Sequence, residues 1–202
     1  MRYAAITKRL AGLGGAKWAI HARARALKAQ GREIIELTIG EPDVATPPEL
    51  MEIAAARMRA GRTGYSNGQG EPGLLRALAA RYSLLRGREI TPAQIMCFPG
   101  TQTTLFAVLM GLLGPGDEVL LGDPMYATYE GLIAATGARL VPVPLRPEAG
   151  FAIRAEDIAA RVTPATRVIF LNSPHNPTGA VLSHADLAAI GAVAKAHDLW
   201  IL

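Results

Sequence analysis

The chain has 202 residues, of which 50% are hydrophobic and 19% are charged, with a formal net charge of +4. This much apolar sequence can bury the core of one domain or one large lobe, which excludes a small module that depends on disulfides. The single cysteine, the scattered basic residues and the lack of a leader or membrane-length apolar run predict a cytoplasmic protein with no nucleic-acid or membrane partner.

Hydrophobic periodicity predicts mainly helices up to residue 86 and alternating strands and helices from residue 95. The early helices are predicted at 17–30, 48–60 and 72–86, with a strand or extended segment at 33–40. The later strands are predicted at 95–98, 118–123, 139–145, 166–172 and 199–202, and the later helices at 100–113, 125–137, 154–162 and 184–198.

This alternation predicts the fold class and the domain organisation. Strands that alternate with helices need crossover connections, so we expect an α/β fold with a mainly parallel sheet flanked by helices. Residues 1–48 are the most separable segment, and residues 49–202 are predicted to form one layered structure. In such a sheet, ligands bind beyond the carboxyl ends of the strands.

The loop at 98–104, "FPGTQTT", is a candidate phosphate site. It follows a predicted strand and opens a predicted helix, where free backbone N–H groups and the helix dipole favour an anion at Gly100, Thr101 and Gln102. The alternative is that Thr101 is an ordinary helix N-cap.

The loop at 122–130, "GDPMYATYE", presents Tyr126 after a predicted strand. An aromatic ring at this edge could lie on a planar ligand. The alternative is a partly buried tyrosine that begins the next helix.

The segment "LNSPHNPTGAVL" (171–182) concentrates backbone constraint at the end of an apolar strand. Two prolines hold the preceding residues out of the helical region, so an extended corner is fixed there. Asn176, which can both donate and accept, is then a candidate ligand-facing group. The segment "IGEPDVATPPEL" (39–50) similarly leaves the backbone at Gly40 open to close approach.

Other familiar motifs are excluded. "GQGEPG" (68–73) has the spacing of a dinucleotide-binding loop but does not follow a buried strand, so we exclude a nicotinamide site. The four histidines and Cys97 lack metal-ligand spacing, and we expect no metal.

Taken together, these loops closely resemble the class I and II aminotransferases, pyridoxal-phosphate enzymes of fold type I. The resemblance rests on "NPTG" at 176–179 and, in the family's order, on the stretches at 39–47, 64–82 and 99–131. It covers almost the whole chain. The N-terminal 24 residues and "PMYATYE" (124–130) are also similar to the arginine:pyruvate transaminases within that family.

The resemblance implies a role for each matching residue. Gly100, Thr101 and Gln102 would hold the phosphate of pyridoxal 5'-phosphate (PLP), Tyr126 would stack on its ring, and Asn176 would hydrogen-bond its phenolic oxygen. Tyr65 matches a tyrosine that reaches the phosphate of the neighbouring subunit, which implies a homodimer with shared active sites. Gly40 and Trp18 match positions beside the substrate, and cis bonds are expected before Pro124 and Pro177.

The chain lacks one essential part of the family's pattern. Transamination needs a lysine that holds the cofactor as a Schiff base, and none of the lysines at 8, 17, 28 and 195 fits that motif. We therefore expect no catalytic residue in this chain and a lysine beyond residue 202. The chain would be the N-terminal half of a longer protein and, alone, inactive and poorly soluble.

The implied function is transfer of an amino group from an L-amino acid, with arginine a candidate, to a 2-oxo acid such as pyruvate. Two alternatives stay open. One is a non-catalytic, aminotransferase-like binding protein, and the other is a PLP-dependent β-lyase or decarboxylase on the same scaffold.

Overall fold

The computed structural model describes residues 2–13 and 15–202, with no side-chain description at positions 16 and 17. The helices in these residues are α1 (Ala5–Leu10), α2 (Gly15–Ala29), α3 (Pro48–Arg59), α4 (Pro72–Arg86), α5 (Thr101–Leu112), α6 (Tyr129–Thr136), α7 (Ala155–Ala159) and α8 (His184–Ala196). The strands are β1 (Glu118–Asp123), β2 (Arg139–Pro144), β3 (Thr166–Phe170) and β4 (Trp200–Ile201). Single-turn 3-10 helices lie at Pro92–Gln94 and Pro147–Ala149.

The chain divides into two compact units. The first unit comprises residues 1–34 and 105–202, and the second comprises residues 35–104. The domain boundary expected at 48/49 concerns the organisation of the complete protein and stays a prediction.

The first unit is built on a four-stranded sheet in the order β2-β1-β3-β4, with every pairing parallel. Side chains that alternate along the two central strands enter two separate cores. One face, with Val119, Leu121 and Phe170, packs with Leu109 of α5 and Ile133 of α6. The predicted α/β class with a parallel sheet flanked by helices is thereby confirmed.

The other face of the sheet packs against α7 and α8. Leu120 and Ile169 lie in one cluster with Ile158 of α7 and Ile190 of α8, and all four side chains are fully buried. Complete burial of a residue of this size contributes about 1.5–3 kcal/mol, so these layers hold the strand ends in fixed positions.

The second unit contains α3, α4 and the loops around them. Leu75 and Ala79 of α4 are buried, and the N–H of Cys97 donates to the carbonyl of Gln69 at 2.8 Å. The segment 95–98 forms no strand, and neither does 33–40, where Ile35 is 91% exposed. The strand prediction for 95–98 was wrong. At 33–40 the strand alternative was wrong, whereas the alternative of an extended segment without a strand is compatible with the structure.

Helix α6 begins at Tyr129, four residues later than predicted. The chain first passes through the cis Asp123–Pro124 bond and a turn at 127–128, and the N–H of Tyr129 then donates to the carbonyl of Tyr126 at 3.1 Å. None of the helices in residues 2–13 and 15–202 is long and apolar enough to cross a membrane.

Candidate active site

Two loops of the first unit meet at one edge of its sheet. Strands β1 and β3 are parallel neighbours, with Leu121 opposite Phe170, so the loops that follow them leave the same edge. The loop after β1 carries Tyr126, and the loop after β3 carries Asn176. The structure therefore brings these two predicted site residues to the carboxyl edge of the sheet, where α/β proteins bind ligands.

The loop after β3 is a corner with two cis peptide bonds, before Pro174 and before Pro177. The bonds expected before Pro124 and Pro177 are confirmed, and the one before Pro174 was not predicted. Gly179 closes the corner at φ +78°, a left-handed conformation that favours glycine. Its N–H donates to the carbonyl of His175 at 2.7 Å, and the N–H of His175 donates to the carbonyl of Ala180 at 2.8 Å.

Two side chains accept backbone N–H groups within the segment 172–182. Oδ1 of Asn172 accepts the backbone N–H of Asn176 at 2.7 Å, and Oγ of Ser173 accepts the N–H of Leu182 at 3.0 Å. Neither residue was singled out from the sequence. The available signal was the frequency with which asparagine and serine side chains bond to nearby backbone in turns.

His175 and Thr178 form a further side-chain contact inside the corner. Nδ1 of His175 lies 2.7 Å from Oγ1 of Thr178, which also accepts the N–H of Ala180 at 3.3 Å. Burial lowers the pKa of His175, so the neutral imidazole is favoured. The tautomer of the ring decides whether Nδ1 donates to, or accepts from, the hydroxyl of Thr178.

The carboxamide of Asn176 is left available by these contacts. The residue is exposed, and within the described part of the chain its side chain makes no hydrogen bond, whereas its backbone is held by Asn172. A fixed backbone with a free amide group can donate to, or accept from, a ligand at this edge without first breaking a bond.

Tyr126 stands at the border between the site and the core. Its ring is 37% exposed and meets the ring of Tyr129 edge-on, with centroids 5.5 Å apart. It lies three residues before Tyr129, the first residue of α6, so the alternative of a tyrosine at a helix start and the stacking role are both compatible with its position. Nearby, Oγ1 of Thr128 is buried without a partner within the described residues.

The predicted phosphate loop belongs to the second unit. Gly100 has φ +87°. The carbonyl of Gly100 accepts two hydrogen bonds from Thr104, one from the backbone N–H at 3.2 Å and one from the side-chain hydroxyl at 3.1 Å. Gly100 is therefore the residue that caps α5, and the alternative of Thr101 as N-cap is wrong. The N–H groups of Thr101, Gln102 and Thr103 precede the first bond of the helix and are available to an anion.

The remaining predicted residues are accessible. Tyr65 is fully exposed in the second unit and lines an open groove with Arg57 and Arg62. Gly40 is exposed in an irregular segment of the same unit. Trp18 lies on α2 in the first unit, is 57% exposed, and meets the ring of His21 edge-on at 5.9 Å.

The lysines whose side chains the structure describes lie on surface helices. Lys8 is on α1, Lys28 on α2 and Lys195 in the last turn of α8, and all three are exposed. Lys17 lies outside the residues with described side chains. Within the described residues, no three histidine, cysteine, aspartate or glutamate side chains lie close enough together to hold a metal ion.

Comparison with known proteins identifies the family. The model of the family described as aminotransferase class I and II matches residues 32–202. The chain is 45% identical over 202 residues to the arginine–pyruvate transaminase of Pseudomonas aeruginosa, a match that covers 100% of the chain and 51% of that protein. It is 35% identical over 184 residues to the aspartate/prephenate aminotransferase of Thermus thermophilus, covering 91% of the chain and 48% of that protein.

Solved structures agree with these sequence matches. The aspartate aminotransferase of Thermus thermophilus with maleate superposes with a TM-score of 0.91 at 34% identity, over 100% of the chain and 52% of that structure. The alanine aminotransferase of Pyrococcus furiosus gives 0.92 at 28% identity, over 99% and 51%. The chain thus spans about half the length of the curated relatives and solved structures that it matches.

Proposed function

The chain belongs to the class I and II aminotransferases, which depend on PLP, and we propose that its protein transfers an amino group from an L-amino acid to a 2-oxo acid. The proposed donor is arginine and the proposed acceptor is pyruvate. The 45% identity to the arginine–pyruvate transaminase supports this pair, since the other relatives described above match at lower identity.

The corner after β3 is the observation that carries the proposal. It holds the backbone of Asn176 by a 2.7 Å hydrogen bond, and the exposed carboxamide has no hydrogen-bond partner among the described residues. The carboxamide lies at the edge of the sheet where α/β proteins bind ligands. Such an arrangement suits a planar ligand with a hydrogen-bonding oxygen, as PLP is.

The remaining parts of PLP are proposed to bind residues of both units on the strength of the family resemblance, and the chemistry of each residue suits its proposed role. The ring of Tyr126 offers an accessible aromatic surface, and the free N–H groups of Thr101 and Gln102 after Gly100 offer an anion site for the phosphate. Bound PLP would supply the electron sink for cleavage of a bond at the amino acid's α-carbon. The residues of this chain would bind and orient the cofactor and set the proton affinity of its phenolic oxygen through Asn176.

The roles at the substrate and at the partner subunit are proposals that the resemblance to the family supports. Gly40 and Trp18 are proposed to border the substrate, and Tyr65 is proposed to reach the cofactor phosphate of a second subunit in a homodimer. The full exposure of Tyr65 supports that role, because a side chain with this much accessible surface is open to a neighbouring chain.

The share of the relatives that is covered supports one more proposal. The match spans about half of each relative, so the lysine that holds the cofactor would belong to a longer protein that continues after residue 202.

We propose a cytoplasmic location for that protein.

The test is an absorption spectrum of the purified full-length protein with PLP, before and after single L-amino acids. We expect a visible band of bound cofactor that arginine removes and pyruvate restores. Asn176→Ala should weaken PLP binding roughly tenfold or more, because one hydrogen bond to a charged group is lost. Gln94→Ala is the matched control, since the carboxamide of exposed Gln94 accepts the N–H of Thr91 at the start of a single-turn helix and Gln94 has no proposed role in the site.

Three other results would each change the proposal. A band that persists with every amino acid would favour a binding protein without turnover. Formation of ammonia or carbon dioxide from the donor would indicate a β-lyase or a decarboxylase. Absence of any bound-cofactor band would exclude PLP chemistry for the protein.

A further inference from the structure

We propose that Asn172 is a positioning residue that fixes the backbone of Asn176, and through it the carboxamide that the proposed function assigns to the cofactor. The inference rests on that proposed function. Asn172 itself touches neither cofactor nor substrate in this assignment. Its task is to hold residue 176 in one position at the edge of the sheet.

The two prolines of the corner make the hydrogen bond between Asn172 and the N–H of Asn176 important. Pro174 and Pro177 have no N–H, so within 174–177 only His175 and Asn176 can donate a backbone hydrogen bond. The N–H of His175 closes the corner on Ala180, which belongs to the same loop. The N–H of Asn176 donates to Oδ1 of Asn172 at 2.7 Å, and this bond connects residue 176 to the start of the loop.

Asn172 is well placed to serve as the fixed end. It follows the last residue of β3 by two positions, and Leu171 before it donates its N–H to the carbonyl of Leu202 at 2.8 Å. The chain is therefore still held by sheet-like hydrogen bonding one residue before Asn172. A short bond from there to the N–H of Asn176 transfers the rigidity of the sheet to the tip of the corner.

A side chain at position 172 needs one acceptor oxygen for this role. Aspartate keeps that oxygen at the same distance from the backbone, whereas alanine removes it. Ser173→Ala is the matched control, because the hydroxyl of Ser173 also accepts a backbone N–H, that of Leu182 at 3.0 Å, and makes no hydrogen bond to residue 176.

The experiment compares the full-length wild type with Asn172→Ala, Asn172→Asp and Ser173→Ala. Hydrogen exchange of the Asn176 amide is followed without added cofactor, and the absorption maximum and Kd of PLP are measured after reconstitution. In Asn172→Ala we expect exchange of the Asn176 amide to be roughly tenfold faster or more, with a displaced absorption maximum and weaker PLP binding. Aspartate should restore slow exchange and the wild-type maximum, and Ser173→Ala should leave both unchanged.

Each other result overturns the inference. Unchanged exchange and spectrum in Asn172→Ala, or an equal spectral change in Ser173→Ala, would show that the bond does not position Asn176. In both cases PLP binding by the wild type leaves the proposed function intact. A wild type that binds no PLP would overturn the proposed function and this inference with it.

Discussion

The ring of Tyr129 lies against the ring of Phe170, with centroids 4.6 Å apart and planes tilted by 41°. Tyr129 is the first residue of α6, and Phe170 is the last residue of β3. Because Tyr126 packs edge-on against the same tyrosine, a continuous set of three rings joins the loop after β1 to the end of β3. The two loops of the candidate site thus share an aromatic support.

Removal of Phe170 tests this support. The residue is 3% exposed, so Phe170→Ala should lower the free energy of unfolding by about 3–5 kcal/mol through lost burial and a cavity beside Tyr129. Denaturant unfolding of the full-length protein measures the loss. Phe106→Ala on α5 is the control, because Phe106 is 40% exposed and should cost about 1 kcal/mol or less. Equal losses would show that the ring contacts add little.

The opposite edge of the sheet contains a buried carboxylate, Glu118. The hydroxyl of Thr163 donates to Oε2 of Glu118 at 2.7 Å, and Oγ1 of Thr166 lies 3.5 Å from the same oxygen. The guanidinium of Arg139 forms an ion pair with the Glu118 carboxylate. The hydrogen bond from Thr163 is the largest cause that lowers the pKa of Glu118 below its ordinary value of 4.5, although burial opposes it. The ionised form is therefore stabilised by folding.

The sign of the pH dependence follows from that lowered pKa. Its contribution to stability is fully present above about pH 4.5 and is lost as the pH falls through the lower pKa of the folded state. Glu118→Gln should lose about 2 kcal/mol at pH 7, and the difference from the wild type should shrink below pH 4.5. Glu89→Gln is the control, because Glu89 is exposed. A pH-independent difference would contradict the assignment.

Most helices and strands of the first unit could be predicted from the sequence, because the pattern of apolar residues within each segment indicates its type. The run "EVLLGD" predicts a strand at 118–123, and the structure gives Glu118–Asp123. In contrast, 95–98 is as apolar as a strand but makes only isolated contacts, such as the bond from Cys97 to Gln69. A strand needs a partner ladder, and a single segment carries no information about its partner.

The candidate site shows the same limit. The prolines and glycine of the corner are visible in the sequence, so Asn176 could be proposed before the structure was considered. The sequence does not predict the cis bond before Pro174, because an X–Pro sequence does not determine its isomer. It also does not predict the hydrogen bonds that Asn172 and Ser173 accept, because many such side chains bond to water instead. The sequence can indicate which group binds a ligand. The residues that hold this group in place are found only from three-dimensional contacts.

Replacement of Tyr126 tests the proposed stacking surface. Tyr126→Leu should weaken PLP binding roughly tenfold, since an aromatic pair contributes about 0.5–1.5 kcal/mol beyond its buried area. Tyr126→Trp should retain binding. Fluorescence titration of the full-length protein with PLP measures both constants. Tyr82→Leu on α4 is the control, because Tyr82 is a similarly accessible tyrosine at 43% exposure. Comparable losses in both leucine variants would remove Tyr126 from the site.

Gly100 allows a test of backbone conformation at the start of α5. Its φ is +87°, but a methyl group added there would meet no atom within 4 Å. Gly100→Ala should therefore destabilise the protein by about 1–2 kcal/mol through backbone strain alone. Gly64→Ala is the control, since Gly64 has equal space and no left-handed φ. Thermal unfolding of both variants measures the difference, and equal melting temperatures would show that Gly100 relaxes without cost.

His175 provides the last test, because protonation of its partly buried ring costs desolvation free energy in the folded state. Burial lowers its pKa below the ordinary 6.5, so the neutral ring is bound at Thr178. This contribution is fully present above about pH 6.5 and is lost as the pH falls through the lower pKa of the folded state. An NMR titration of the full-length protein should show His175 titrating below the ordinary histidine pKa of 6.5. Thr178→Val should leave the pKa of His175 below its ordinary value, because burial is the cause of the shift and burial persists in the variant. A His175 that titrates at or above pH 6.5 in the wild type would contradict the neutral assignment.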